Sequence, residues 1–213
     1  MQEDHQDNCC AFNLENTENK NLKTVLILVF LINFGMFFVE IISGFMAHSN
    51  SLLADSLDML GDSFIYGITI AVMSKHPSVR AKGSLAKGII MLLLGAFVVA
   101  ESIFKIINPV VPIAETITVI GFVALLANTA SFILLFRHRS KDLNVRSSWL
   151  CSRNDMLANI GVIAAGFLVA QFNSMWPDIA VGFVMAIVVI RSSVQIITES
   201  LRHINSKEIC GKE

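Results

Sequence analysis

Apolar residues fall along this chain in six long runs, each interrupted by a few polar or turn-forming residues. An apolar helix needs roughly 20 residues to cross a bilayer core of about 30 Å. The runs predict helices over about 22–46, 51–74, 84–107, 115–137, 145–170 and 176–198. Between the third and fourth lies Asn108-Pro-Val-Val-Pro112, a helix stop followed by a tight connection. Between the fifth and sixth lies Gln171-Phe-Asn-Ser-Met-Trp-Pro-Asp178, where Trp176 suits a membrane–water interface. The expected fold is all-α: a polytopic membrane protein with six transmembrane helices in one bundle. It spans 22–198, between a polar tail at 1–21 and a short tail at 199–213 too small for a soluble domain. No internal repeat or low-complexity segment stands out.

Composition agrees. Hydrophobic residues make up 54% of the 213 and charged residues only 15%, against about 25% charged in a soluble domain. Mean hydropathy is +0.65, so a water-soluble fold would lack the polar surface to cover its apolar bulk. The net charge of -1 says nothing of partners, because the basic residues are sorted. Lys20 and Lys23 precede the first helix; Lys75, Arg80, Lys82 and Lys87 surround the second-to-third loop. Arg137, Arg139, Lys141 and Arg146 surround the fourth-to-fifth, and Arg202, Lys207 and Lys212 follow the sixth. The three opposite connections carry no Lys or Arg. By the positive-inside tendency, both termini and the basic loops are expected to be cytoplasmic. Cys9, Cys10, Cys151 and Cys210 do not form a disulfide framework. The acidic N-terminus lacks the basic and apolar regions of a signal peptide, so the first helix is expected to be retained. With no signal peptide, the bacterial inner membrane is the expected location, with an organelle membrane as the alternative.

Three acids lie inside the second predicted helix, in Ser51-Leu-Leu-Ala-Asp-Ser-Leu-Asp-Met-Leu-Gly-Asp62. Each charge within a membrane costs roughly 2.5–3.5 kcal/mol on insertion scales, and such residues usually bind or pair with something. Asp58 and Asp62 stand one turn apart on one helix face and repel unless protonated or bridged by a cation. The fifth helix offers a matching pair, Cys151 and Asp155, in Cys151-Ser-Arg-Asn-Asp155. Asp58 and Asp62 sit about 8–12 residues from the outer end of their helix, Cys151 and Asp155 about 7–11 from the inner end of theirs. Both pairs therefore come near mid-membrane and supply four ligands, the tetrahedral number of zinc. A thiolate among carboxylates favours Zn²⁺ or Cd²⁺ over Mg²⁺ or Ca²⁺. Metal binding needs these groups deprotonated, so cation and protons compete for one site. That competition is the physical basis of proton antiport, provided the site alternates its access.

At these residues the sequence resembles the cation diffusion facilitator family of divalent-metal/proton antiporters. The resemblance rests on Gly44-Phe-Met-Ala-His-Ser-Asn-Ser-Leu-Leu-Ala-Asp55 running into Asp58 and Asp62, and on the turn ending in Asp155. Glu40, Glu101 to Pro109 and Asn128 also match family positions. The resemblance implies a homodimer in the lipid bilayer exporting zinc-like ions, with ligands Asp58, Asp62, Cys151 and Asp155. Two features depart from the family: Cys151 replaces the usual His or Asp, and the cytoplasmic domain that commonly follows the sixth helix is not expected here, as in a short form.

Plainer readings stand beside these. Asp58 and Asp62 could be a structural pair, and Cys151 a small packing residue. Asp55 could cap or bond locally, or assist proton transfer. Glu40 could pair with Arg153, and Glu101 with Lys105. His5, Cys9 and Cys10 fit no closed zinc motif; His76, His138 and His203 read as solvated at the cytoplasmic edge, and His48 lies at the outer mouth. No cofactor, enzyme activity or nucleic-acid partner is expected, since there is no nucleophile–base pair, phosphate loop or dinucleotide fingerprint. The expected function is proton-coupled efflux of a divalent transition metal. The alternatives are a non-transporting metal-binding subunit or sensor, and a scaffold in which the acids pair with Arg153 and Arg191.

Overall fold

The computed structural model describes the backbone of residues 20–72, 77–136 and 143–210, and the side chains of 24–67, 70, 83–136 and 155–202. Six helices follow in order: α1 Lys20–Met46, α2 Asn50–Val72, α3 Pro77–Ile107, α4 Ala114–Phe136, α5 Leu143–Phe172 and α6 Trp176–Cys210. The all-α bundle is as the apolar runs require, and no strand occurs among the described residues. Five helices are long and apolar enough to cross a membrane; α2, with its three aspartates, is the exception. Their outward faces are apolar, as in Leu31, Leu93, Leu126 and Phe167, each more than half exposed.

Helix ends differ from expectation at both extremes. α1 begins at Lys20, just inside the expected 1–21 tail, whose first residues lie outside the described ones. α6 runs to Cys210, through most of the expected 199–213 tail. Apolarity marks where a helix enters lipid, not where it stops, and no Gly or Pro interrupts the sequence between Gly182 and Gly211. α3 likewise starts early, at Pro77, a residue suited to a first helical turn.

The packing explains how α2 tolerates its acids. Among the described residues α2 touches every other helix. α3 packs on α6, α4 on α5, and α1 on α2 and α4, so α2 stands between an α3–α6 pair and an α1–α4–α5 group. Nearly all of residues 51–63 are buried as a result. Leu53, Ala54, Leu57 and Leu60 form one cluster with Met91, Val98, Ala186 and Val189 of the α3–α6 pair. Small residues let these helices approach. A Cβ on Gly88 or Gly95 would come within 2.8 Å of Ile197 or Ile190 of α6.

The tightest joint lies where α1 turns into α2. His48 takes a left-handed conformation (φ 51°) after Met46, and Ser49 N–H bonds back to Gly44 O at 2.9 Å. Ser49 Oγ then accepts from Leu52 N at 3.2 Å, a serine N-cap for α2. Across the bundle, Asp178 in the first turn of α6 completes the cap. Its Oδ1 accepts from Ser49 Oγ at 2.6 Å, Ser51 Oγ at 2.6 Å and Ser51 N at 3.1 Å. Its Oδ2 accepts from Asn50 N at 2.7 Å. α3 joins the same knot: Asn50 Nδ2 donates to Ser102 Oγ at 2.7 Å, and Lys105 Nζ donates to His48 O at 2.8 Å and to Asn50 Oδ1. The expected Glu101–Lys105 pair is present at 3.8 Å. An aspartate at a helix N-terminus also faces the positive end of the helix dipole.

Two substitutions test this joint. A Cβ at Gly182 would fall 2.5 Å from the Asn50 backbone carbon. Gly182→Ala is therefore expected to destabilise the bundle by about 1–3 kcal/mol, read as a lower midpoint of unfolding in mixed micelles. Asp178→Ala removes the acceptor of four hydrogen bonds. In the same titration it should lose at least about 1.5–3 kcal/mol, and an unchanged midpoint would show that α2 caps itself.

Candidate metal centre

α2 carries Asp55, Asp58 and Asp62 on helical spacing, and its central position turns all three toward neighbouring helices rather than lipid. Asp62 is 9% exposed and Asp58 half-buried. From α5, Asp155, also 9% exposed, interacts electrostatically with both. Carboxylates in that proximity repel one another unless a proton or a cation lies between them. Asp58, Asp62 and Asp155, three of the four expected ligands, thus lie in one part of the bundle and act on one another electrostatically. Cys151 is on α5 one turn before Asp155, but its side chain lies outside the described ones. As the described side chains stand, no three His, Cys, Asp or Glu groups converge closely enough to hold a metal ion.

Sequence reading missed two residues that shape this cluster. Lys87, expected beside a loop, lies within α3 and is 7% exposed. Its ammonium interacts electrostatically with Asp62 and Asp58. Packing brings it there: Met91, one turn on, lies against Gly61 of α2, where a Cβ would be 3.1 Å from the methionine methyl. A lysine at the edge of an apolar run is indistinguishable in sequence from a loop lysine. Asn159, fully buried, is the second. Its Nδ2 donates to Asp55 Oδ2 at 2.7 Å, while Asn128 Nδ2 of α4 donates to its Oδ1 at 2.9 Å. Asn159 follows Asp155 by one turn on the same face, a spacing that could have found it.

Asp55 is thus bonded across the bundle rather than locally. The expected Glu40–Arg153 pair is not supported from the glutamate's side: both Glu40 carboxylate oxygens are buried without a hydrogen-bond partner, and the Arg153 side chain lies outside the described ones. Arg191 is exposed, which counts against a scaffold in which it neutralises the acids. His48 is exposed at the α1–α2 turn, as expected. His5, Cys9, Cys10, His76 and His138, and the side chains of His203 and Cys210, lie outside the described residues.

Residues 26–204 match the model of the cation efflux transmembrane domain. The chain belongs to the cation efflux family. This is a family of membrane transporters, so the chain is an integral, multi-pass membrane protein. It is similar to a cadmium, cobalt and zinc/H(+)-K(+) antiporter of Bacillus velezensis, 28% identical over 193 residues, covering 84% of this chain and 62% of the relative. A zinc transporter, ZitB of Pectobacterium atrosepticum, is 26% identical over 207 residues, 91% of this chain and 64% of the relative. The metal cation efflux system protein CzcD of Cupriavidus metallidurans is 21% identical over 202 residues, 85% and 62% respectively. The chain therefore spans less than two thirds of the length of these relatives.

Proposed function

We propose that the chain carries a divalent transition-metal cation, Zn²⁺ or Cd²⁺ first, out of the cytoplasm in exchange for protons. The cation is held by Asp58, Asp62, Cys151 and Asp155 and released by alternating access around that buried site. The observation that carries this reading is Asp155 of α5 facing Asp58 and Asp62 of α2 inside the bundle. Carboxylates gathered in that setting need a positive partner. The similarity to zinc, cadmium and cobalt carriers supports the ion class. The antiporter name of the Bacillus velezensis relative supports coupling to protons. The sorting of Lys and Arg supports cytoplasmic termini, and the bacterial relatives support an inner-membrane location. We retain the homodimer as an assembly suggested by family resemblance, and the chain as a transporter rather than an enzyme.

Coupling follows from the donor set. Each ligand binds metal only when deprotonated, so protons arriving at the site expel the cation and metal arriving releases protons. Apparent metal affinity should fall as pH falls. Lys87 lies beside the carboxylates, and in its protonated form it limits how much negative charge remains for a metal to neutralise.

In proteoliposomes, Zn²⁺ and Cd²⁺ flux should follow an imposed pH gradient and vanish in Asp62→Ala. Equilibrium binding without flux in the wild type would replace the transporter with a metal-binding membrane subunit. Cys151→Ser should weaken Cd²⁺ transport more than Zn²⁺ transport, because removing a thiolate penalises the softer ion more. An unchanged Cd²⁺/Zn²⁺ ratio would remove Cys151 from the ligand set.

A further inference from the structure

Glu40 of α1 is completely buried, and neither of its carboxylate oxygens meets a hydrogen-bond donor. Its closest electrostatic relation is with Asp55, then with Asp58. Asp55 is 1% exposed. Asn159 occupies Asp55 Oδ2, and Asn128 in turn fixes Asn159, so only Oδ1 is left over, and it too has no partner. Three carboxylate oxygens from α1 and α2 are therefore unsatisfied in the interior, next to the candidate metal centre but separate from it.

A single proton resolves this arrangement only in part. Shared between Glu40 and Asp55, it would satisfy one oxygen of each and leave the second Glu40 oxygen buried without a partner. Lys87 acts on Asp62 and Asp58 rather than on this pair. A cation held between the two carboxylates would satisfy all three free oxygens at once. Metal–oxygen contacts of about 2.0–2.6 Å hold two carboxylates apart while satisfying both. The described donors are oxygens alone, with no sulfur or imidazole, a set that suits hard ions and not the softer ones favoured by a thiolate.

We propose that Glu40 and Asp55 form a second cation site, one turn nearer the α1–α2 turn than Asp58, that takes a hard, oxygen-binding cation from solution. Asn128 and Asn159 position it by holding Asp55 in one orientation with one oxygen free. The inference stands independently of the efflux reading, since it concerns different residues and a different class of ion.

The test is the unfolding temperature of the purified full chain in detergent, in potassium, sodium, magnesium or calcium chloride against choline chloride at equal ionic strength. The expected result is a saturable rise in Tm of a few degrees over choline with at least one of these ions. The alkali and alkaline-earth arms distinguish which kind the site takes. The rise should disappear in Glu40→Gln and in Asp55→Asn, and the latter carries the comparison if the former does not fold. A wild type with the same Tm in all five salts would overturn the proposal, as would a rise that both variants keep. A parallel Cd²⁺ titration separates the two sites: wild type insensitive to Cd²⁺ but stabilised by a hard cation would end the efflux reading and leave this one standing.

Discussion

The whole bundle is organised by the need to keep acidic side chains of α2 away from lipid. Each of them would cost a few kcal/mol in a hydrocarbon setting, and a helix carrying Asp55, Asp58 and Asp62 cannot face the bilayer on that side. The remaining helices answer by surrounding it. α3 and α6 pack as a pair through contacts of Gly88 and Gly95 with isoleucines, α4 and α5 pack together, and α2 fills the space between. The outer helices then show lipid little but leucine, isoleucine, valine and phenylalanine. Polarity on the inside and apolarity on the outside are two sides of one constraint.

Within that enclosure the polar groups separate into layers along α2. At its start, hydroxyls and backbone N–H groups converge on Asp178. Further along, Asn128 and Asn159 hold Asp55. Beyond it, Asp155 and Lys87 face Asp58 and Asp62. The first layer is fully bonded and so structural in kind. The second and third retain acidic oxygens in need of positive partners, which is the condition under which a buried carboxylate stays available for binding.

Much of this was legible in the sequence, and the misses have a common cause. Six apolar runs and two Pro- or Trp-containing breaks located the helices, because lipid exposure writes itself into every outward position. The pair Asp58 and Asp62, and the partner Asp155, were legible because helical spacing converts sequence separation into shared faces. What stayed hidden depends on which helix neighbours which. Nothing in the sequence says that Asp178 caps α2, that Lys87 turns inward, or that Asn159 reaches Asp55. Those facts follow from the crossing of α2 with α3, α5 and α6. Helix termini were blurred for another reason: polar residues extend a helix beyond the membrane without any apolar signal, as in α6 up to Cys210.

The knot around Asp178 also has a mechanical meaning. It joins the first turns of α2 and α6 to the last turns of α3 at one end of the bundle, so the three helices share one register there. Any slide of α2 along its axis past α3 or α6 would break several buried hydrogen bonds at once. The depth of Asp55, Asp58 and Asp62 in the bundle is therefore set from that end, by how many residues separate each of them from Ser51.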